Sequence, residues 1–169
     1  IYEAKGRPSD NPLIVHICRM EDLPYLVKEI PEAAKKLADA FWPGPLTMIF
    51  RKSPAVPTET TGGLATVAVR MPSHKTALSF IREAGGYVAA PSANRSGKPS
   101  PTCAKYVEED MAGRIEMILD GGDVEIGLES TIVDLTEEIP VILRPGYITK
   151  EMLEEALGSV REDGTMMSD

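Results

Sequence analysis

Four cations and a series of small hydroxyl and amide side chains stand where this 169-residue chain changes from apolar to polar. In "KGRPSDNPL", Lys5 and Arg7 flank a glycine, so the backbone can bend and both cations can converge on one anion. The guanidinium offers a planar fork to phosphate or carboxylate oxygens, and the ammonium a point charge. In "APSANRSGKPSPT", residues 90–102, Ser92, Asn94, Ser96 and Thr102 supply neutral donors and acceptors, and Gly97 permits close approach to the backbone. A helix opening near Thr102 would add free N–H groups and the positive end of its dipole. Each stretch also has a plain reading, as a solvated loop or as ordinary turn chemistry, so neither selects a ligand by itself.

"GLESTIVD" sets Glu129, Ser130 and Thr131 into an otherwise apolar segment, where polar groups need partners from the protein or from a ligand. Arg70 closes "VAVR" and Arg144 closes "VILR". An arginine ending an apolar strand is seldom buried unless it meets an acid or an anionic substrate. His16 in "LIVHI" shares a strand face with Cys18 by two-residue alternation. A metal pair there lacks further ligands, so His16 reads as a donor to substrate or a satisfied core group, and no metal site is assigned. A Walker A sequence, a dinucleotide fingerprint, a nucleophile elbow and an H-E-x-x-H motif are all absent. Together these residues describe a cleft of several cations and many neutral donors, fit for a nucleotide or another polyanion.

Alternating strands and helices must position them. "LIVHI", "LTMIFR", "LATVAVRM", "YVAA", "IEMILD", "STIVDL" and "PVILRPG" read as strands. "IYEAK" reads as the tail of a helix. "PEAAKKLADAF" carries Ala34, Leu37, Ala38 and Phe41 on one helical face, with Pro31 by the first turn. "HKTALSFIREAGG" carries Ala77, Leu78, Ile81 and Ala84, and its two glycines stop the helix. A helix over residues 102–111 turns Ala104, Val107 and Met111 inward. "TKEMLEEAL" has Thr149 as N-cap, and "VREDGTMMSD" reads as a frayed tail. Strands and helices that alternate without segregation predict one α/β domain, a twisted mixed sheet with flanking helices.

Composition agrees and narrows the function. At 43% hydrophobic residues the chain is globular in class, and its length fits one core. A net charge of −8 speaks against gripping nucleic acid through bulk positive charge, though a local basic groove is allowed. No apolar run approaches the roughly 20 residues a bilayer requires, and no secretory signal is visible. Two distant cysteines without a CxxC pattern fit a reduced, cytosolic setting and no zinc site.

The ordered series "KGRPSDNPL" with "VHI", "FWPGPLT", "VAVRMP", "PSANRSGKPSPT", "ESTIVD" and "LRPG" resembles the YrdC-like threonylcarbamoyl-AMP synthases over residues 4–146. The resemblance implies an α/β domain with a large concave, electropositive cleft over residues 1–147. Residues 148–169 would follow as a helix and tail or the start of a linker. It implies an enzyme, a nucleotidyltransferase joining L-threonine, bicarbonate and ATP into threonylcarbamoyl-AMP with release of pyrophosphate. Its product would serve the threonylcarbamoyladenosine modification of tRNA, beside a threonylcarbamoyl-transferase complex in the cytoplasm. Lys5 and Arg7 would be the catalytic cations on the phosphates. Arg7, Asn11, Thr66, Asn94, Thr102 and Arg144 would bind ATP, and His16, Arg70, Ser92 and Ser130 L-threonine. Mg²⁺ would ride on the ATP phosphates.

One departure stands out. The family's N-terminal segment with a P-T-E-T-x-Y-G-L motif is missing, so this chain is expected to bind weakly or fold incompletely. Two other functions fit less well: a non-catalytic module for double-stranded RNA or tRNA, and the carbamoyl-adenylate-forming domain of a hydrogenase-maturation protein.

Overall fold

The computed structural model describes residues 1–164. Helix α1 (Tyr2–Lys5) leads to β1 (Ile14–Ile17), a single 3₁₀ turn, α2 (Leu23–Leu26), α3 (Glu32–Phe41), β2 (Leu46–Arg51) and β3 (Thr66–Arg70). Then come α4 (Lys75–Glu83), β4 (Tyr87–Ala90), α5 (Ala104–Met111), β5 (Thr131–Asp134), β6 (Val141–Arg144), α6 (Lys150–Leu157) and β7 (Arg161–Glu162). The seven strands form one mixed sheet in the order β4-β1-β3-β2-β5-β6-β7. The pairs β1–β3, β2–β5 and β6–β7 are parallel and the others antiparallel.

Two-residue alternation sorts the side chains. Val15 and Ile17, Leu46, Met48 and Phe50, Val67 and Val69, and Val133 all point into one core. Leu23 and Leu26 of α2, Ala34, Leu37 and Ala38 of α3, and Leu153 of α6 pack against that face. The helical stripe read from the spacing of α3 is therefore the buried one, although Phe41 is only partly covered. Among the described residues, α1 and α5 contribute nothing to this core. The opposite sheet face, with Ile14, His16, Thr66, Ala68, Arg70, Ile49 and Ile132, is left partly open.

Thr149 caps α6, its hydroxyl accepting from the Met152 amide at 3.2 Å, and Gly85 and Gly86 end α4 at φ near +100°. Four expectations fail. "IEMILD" is no strand: none of the seven strands borders residues 115–120, and Met117 and Leu119 stay exposed. Without a neighbour to take its N–H and C=O groups, an apolar alternating run has no strand to join. The fifth helix opens at Ala104, with Cys103 and not Thr102 at the cap position. Ala84 is exposed, because α4 has ended by then. Finally, Val160 is buried in the core and Arg161–Glu162 pair with β6, so part of the expected tail is sheet. The rest of that tail, residues 165–169, lies outside the described residues.

Candidate functional site

On the open face, one register row crosses the sheet. His16 of β1 lies beside Arg70 of β3, Arg70 beside Thr47 of β2, Thr47 beside Ile132 of β5, and Ile132 beside Arg144 of β6. Cross-strand partners share a face, so these side chains rise on one side. Arg144 joins the row through a local irregularity. In an unbroken strand it would follow Ile142, whose side chain is in the core. The pairing shifts between Ile132 and Val133, where a bulge turns Arg144 over to the open face.

Each member of the row has a defined attachment. Arg70 donates from Nε to the Gly44 carbonyl at 3.2 Å, and among the described residues its Nη1 and Nη2 make no hydrogen bond. That leaves the end-on fork of the guanidinium for an anion. Burial, and then Arg144, press its pKa below the ordinary arginine range. Arg144 donates from Nε and Nη2 to the Ser130 carbonyl at 3.0 and 2.9 Å, and from Nη2 to the Ser130 hydroxyl at 3.1 Å. Its Nη1 pairs with Glu129 Oε2 at 2.9 Å. Gly146 packs behind this segment so tightly that a Cβ there would lie 2.5 Å from the Glu129 carbonyl. His16 Nδ1 is buried and, among the described residues, has no hydrogen-bond partner. Burial first and Arg70 second lower its pKa from 6.5, partly offset by the backbone at Val88 and Ile14, so the ring is neutral near pH 7.

A second group gathers where β4 ends and β1 begins. Gly6, at φ 65°, ends α1 and turns the chain. Lys5 is buried, and its ammonium donates to the carbonyls of Ser92 and Asn94. Burial and the nearby Arg7 lower its pKa, while Asp110 opposes them. Asn94 is 6% exposed. Its Nδ2 donates to the carbonyls of Arg95 at 2.9 Å and Lys98 at 2.7 Å, and its buried Oδ1 has no partner among the described residues. Arg7 folds back onto Asn11 Oδ1 at 2.9 Å and the Pro12 carbonyl at 2.8 Å.

The loop between β4 and α5 links the two groups. It leaves β4 beside Ile14, and at its far end the Ser100 hydroxyl donates to Glu129 Oε1 at 3.0 Å. Lys98 is held by Asp110 at 2.7 Å. Glu129 thus grips the loop with one oxygen and Arg144 with the other.

Of the residues expected to bind or react, His16, Arg70, Ser130 and Arg144 come together on the row. Thr66 shares their face on β3, opposite Arg51 at its other end. Lys5, Arg7, Asn11, Ser92 and Asn94 form the second group. Thr102 is exposed just before α5, at the end of the same loop, its carbonyl accepting from Val124 at 2.9 Å. Sequence reasoning missed Thr47, fully buried with its hydroxyl 2.7 Å from that of Ser130. The alternation in "LTMIFR", with Leu46, Met48 and Phe50 inward, already places Thr47 on the other face. Among the described residues, no three His, Cys, Asp or Glu side chains assemble as a metal cage. Two hollows of about 490 and 440 Å³ flank α5 and residues 115–124, and the second is lined in part by Ser92 and Ser100 of this site.

The fold and the row define an α/β domain with a one-sided sheet whose open face carries two guanidiniums beside hydroxyl groups. A family model described as "Telomere recombination", for Sua5, YciO and YrdC proteins, matches residues 1–146. The chain belongs to the Sua5/YciO/YrdC family. It is 58% identical over 161 residues to a threonylcarbamoyl-AMP synthase of Pyrococcus abyssi, covering 95% of this chain and 47% of that one. A Bacillus subtilis protein of the same name is 56% identical, with 96% and 47% covered. The crystal structure of P. abyssi Sua5 complexed with L-threonine superposes with a TM-score of 0.93 at 57% identity, covering 96% of this chain and 48% of that one. The chain therefore spans about half the length of these relatives. Escherichia coli YciO, at 20% identity and a TM-score of 0.77 over 87% of this chain and 71% of its own, shares the fold.

Proposed function

We propose that this chain carries the synthase site of an L-threonylcarbamoyladenylate synthase, which converts L-threonine, bicarbonate and ATP into threonylcarbamoyl-AMP and pyrophosphate. The observation that carries the reading is the row itself: a free guanidinium fork on Arg70, a neutral His16, and Ser130 backed by Arg144, all on one open face. Similarity to curated synthases and to a relative crystallised with L-threonine supports it.

In this reading the threonine carboxylate takes the Nη1 and Nη2 fork of Arg70, with Ser130 and the Ser92 region completing its cradle. Neutral His16 contacts the amino acid without adding a third positive charge beside Arg70. Lys5 and Arg7 face the triphosphate, while Asn11, Thr66, Asn94, Thr102 and Arg144 hold the nucleotide. The buried, unpartnered Oδ1 of Asn94 is an acceptor suited to a ligand N–H or O–H. The threonine amine attacks CO₂ derived from bicarbonate, giving a carbamate and releasing a proton. A carbamate oxygen then attacks the α-phosphorus in line, the bond to the β-phosphate oxygen breaks, and pyrophosphate leaves. Such a transfer depends on positioning and charge neutralisation, which cations and fixed donors provide. A Mg²⁺ ion accompanying ATP would be held by phosphate oxygens and water.

The product would be handed in the cytoplasm to a threonylcarbamoyl-transferase complex acting on tRNA. Among the described residues, no helix is long and apolar enough to cross a membrane. The test is pyrophosphate release from ATP with and without L-threonine and bicarbonate. Release that requires both is expected. Release indifferent to threonine, or salt-dependent RNA binding with no ATP consumed, overturns the reading.

A further inference from the structure

We propose that Thr47 is a positioning residue: its hydroxyl donates to Ser130 and thereby leaves Ser130 able to present only a proton, not a lone pair, to a carboxylate oxygen of the substrate. The inference rests on the reading above, that the amino acid lies on this face beside Arg70.

The hydroxyl arithmetic carries it. A serine or threonine hydroxyl has one proton and two lone pairs. Thr47 Oγ1 and Ser130 Oγ are 2.7 Å apart, and either is able to donate to the other. Arg144 Nη2 already donates to Ser130 Oγ at 3.1 Å, filling one of its lone pairs. Among the described residues, the Thr47 hydroxyl has no second partner. If Ser130 donated to Thr47, the Thr47 proton would be stranded on a side chain with 0% exposure, out of reach of water or ligand. With Thr47 as donor, the leftover proton belongs to Ser130, which keeps 5% exposure. Buried hydroxyls avoid unpaired protons, so the chain of donation runs from Thr47 and from Arg144 into Ser130, and from Ser130 outward.

The consequence is selectivity. Both lone pairs of Ser130 are occupied, so it repels a ligand N–H and welcomes an oxyanion. In the row, Thr47 stands directly beside Arg70, so the outward O–H and the free fork of Arg70 address the same neighbourhood. A carboxylate satisfies both, whereas a carboxamide brings an NH₂ that Ser130 has no lone pair to accept. A site built on buried hydrogen bonds discriminates strongly between such near-isosteres.

Titration calorimetry with L-threonine and with L-threoninamide tests this on the protein, Thr47→Val and Thr47→Ser, with the melting temperature of each. The wild type is expected to favour L-threonine by roughly tenfold or more, and Thr47→Ser to keep that preference within about twofold. Thr47→Val frees a lone pair on Ser130, so the preference should shrink by about fivefold or more. If valine prevents folding, Thr47→Cys, of similar size but only a weak donor, should show the same shrinkage. A Thr47→Val or Thr47→Cys protein with the wild-type preference overturns the inference, as does a Thr47→Ser protein that loses it. A wild type that binds neither ligand overturns the assignment of the amino acid to this face, and the inference with it.

Discussion

Arg70 and Arg144 face the same side of the sheet from strands three apart, with Thr47 and Ile132 in register between them. Their guanidiniums are near enough for Arg144 to lower the pKa of Arg70, and among the described residues only Arg144 has an acid, Glu129, paired with it. Like charges on one partly buried face are unfavourable in the empty protein. A bound anion relieves that repulsion, so the arrangement stores affinity for one.

Replacing Arg70 by alanine should weaken L-threonine binding by roughly tenfold to a hundredfold, the usual range for a charged hydrogen-bonded pair, and ATP binding much less. Arg70→Lys should recover little, because an ammonium cannot reproduce the fork. Calorimetric titration of both ligands checks this, and equal losses for the two would contradict the placement of Arg70.

The row was only half legible in the sequence. His16 and Arg70 follow from simple alternation, since β1 and β3 are regular and their cores, Val15 and Ile17, Val67 and Val69, alternate cleanly. Arg144 does not: counted from Ile142 it belongs in the core, and only the bulge opposite Ile132 and Val133 turns it outward. A shift in register depends on the partner strand, which a local pattern does not contain. "IEMILD" failed for the related reason that strand propensity describes a fit to neighbours, and residues 115–120 have none in this sheet. Thr102 was placed at a helix start by residue type, whereas the cap position fell to Cys103 without a side-chain bond.

Glu129 joins the loop to the row through Ser100 on one oxygen and Arg144 on the other. Its side chain is half exposed, so Glu129→Ala should cost little stability, at most about 1 kcal/mol. Function should suffer more, because the loop loses its far anchor. Limited proteolysis is expected to cut within residues 95–101 several-fold faster than in the wild type, and bound ATP should slow the cut. Unchanged cleavage in Glu129→Ala would mean that the loop is held elsewhere.

Lys5 is a clasp as well as a cation. Its buried ammonium binds the carbonyls of Ser92 and Asn94, on which the loop's first turn depends. Lys5→Met keeps the aliphatic stem but leaves two carbonyls without their donor, a loss of about 1–3 kcal/mol. In a chain of this size that corresponds to a melting temperature lower by roughly 3–10 °C, together with a fall in turnover. Thermal unfolding separates the two roles: a full-strength melting temperature with lost turnover would make Lys5 a chemical group alone.

His16 should make stability sensitive to mild acid. Burial and Arg70 hold its folded pKa below the ordinary 6.5, so the unfolded chain takes up the proton first as pH falls. The contribution of neutral His16 is complete above about 6.5 and is lost progressively as pH drops toward the lowered folded value, at a slope of at most roughly 1.4 kcal/mol per pH unit. Carboxylates titrate lower and His74 is common to both proteins, so the difference between wild type and His16→Gln isolates the effect. Urea unfolding between about pH 7.5 and pH 5 should show wild-type stability falling more steeply than that of His16→Gln. Parallel curves would mean that the imidazole is as easily protonated in the folded sheet as in the open chain.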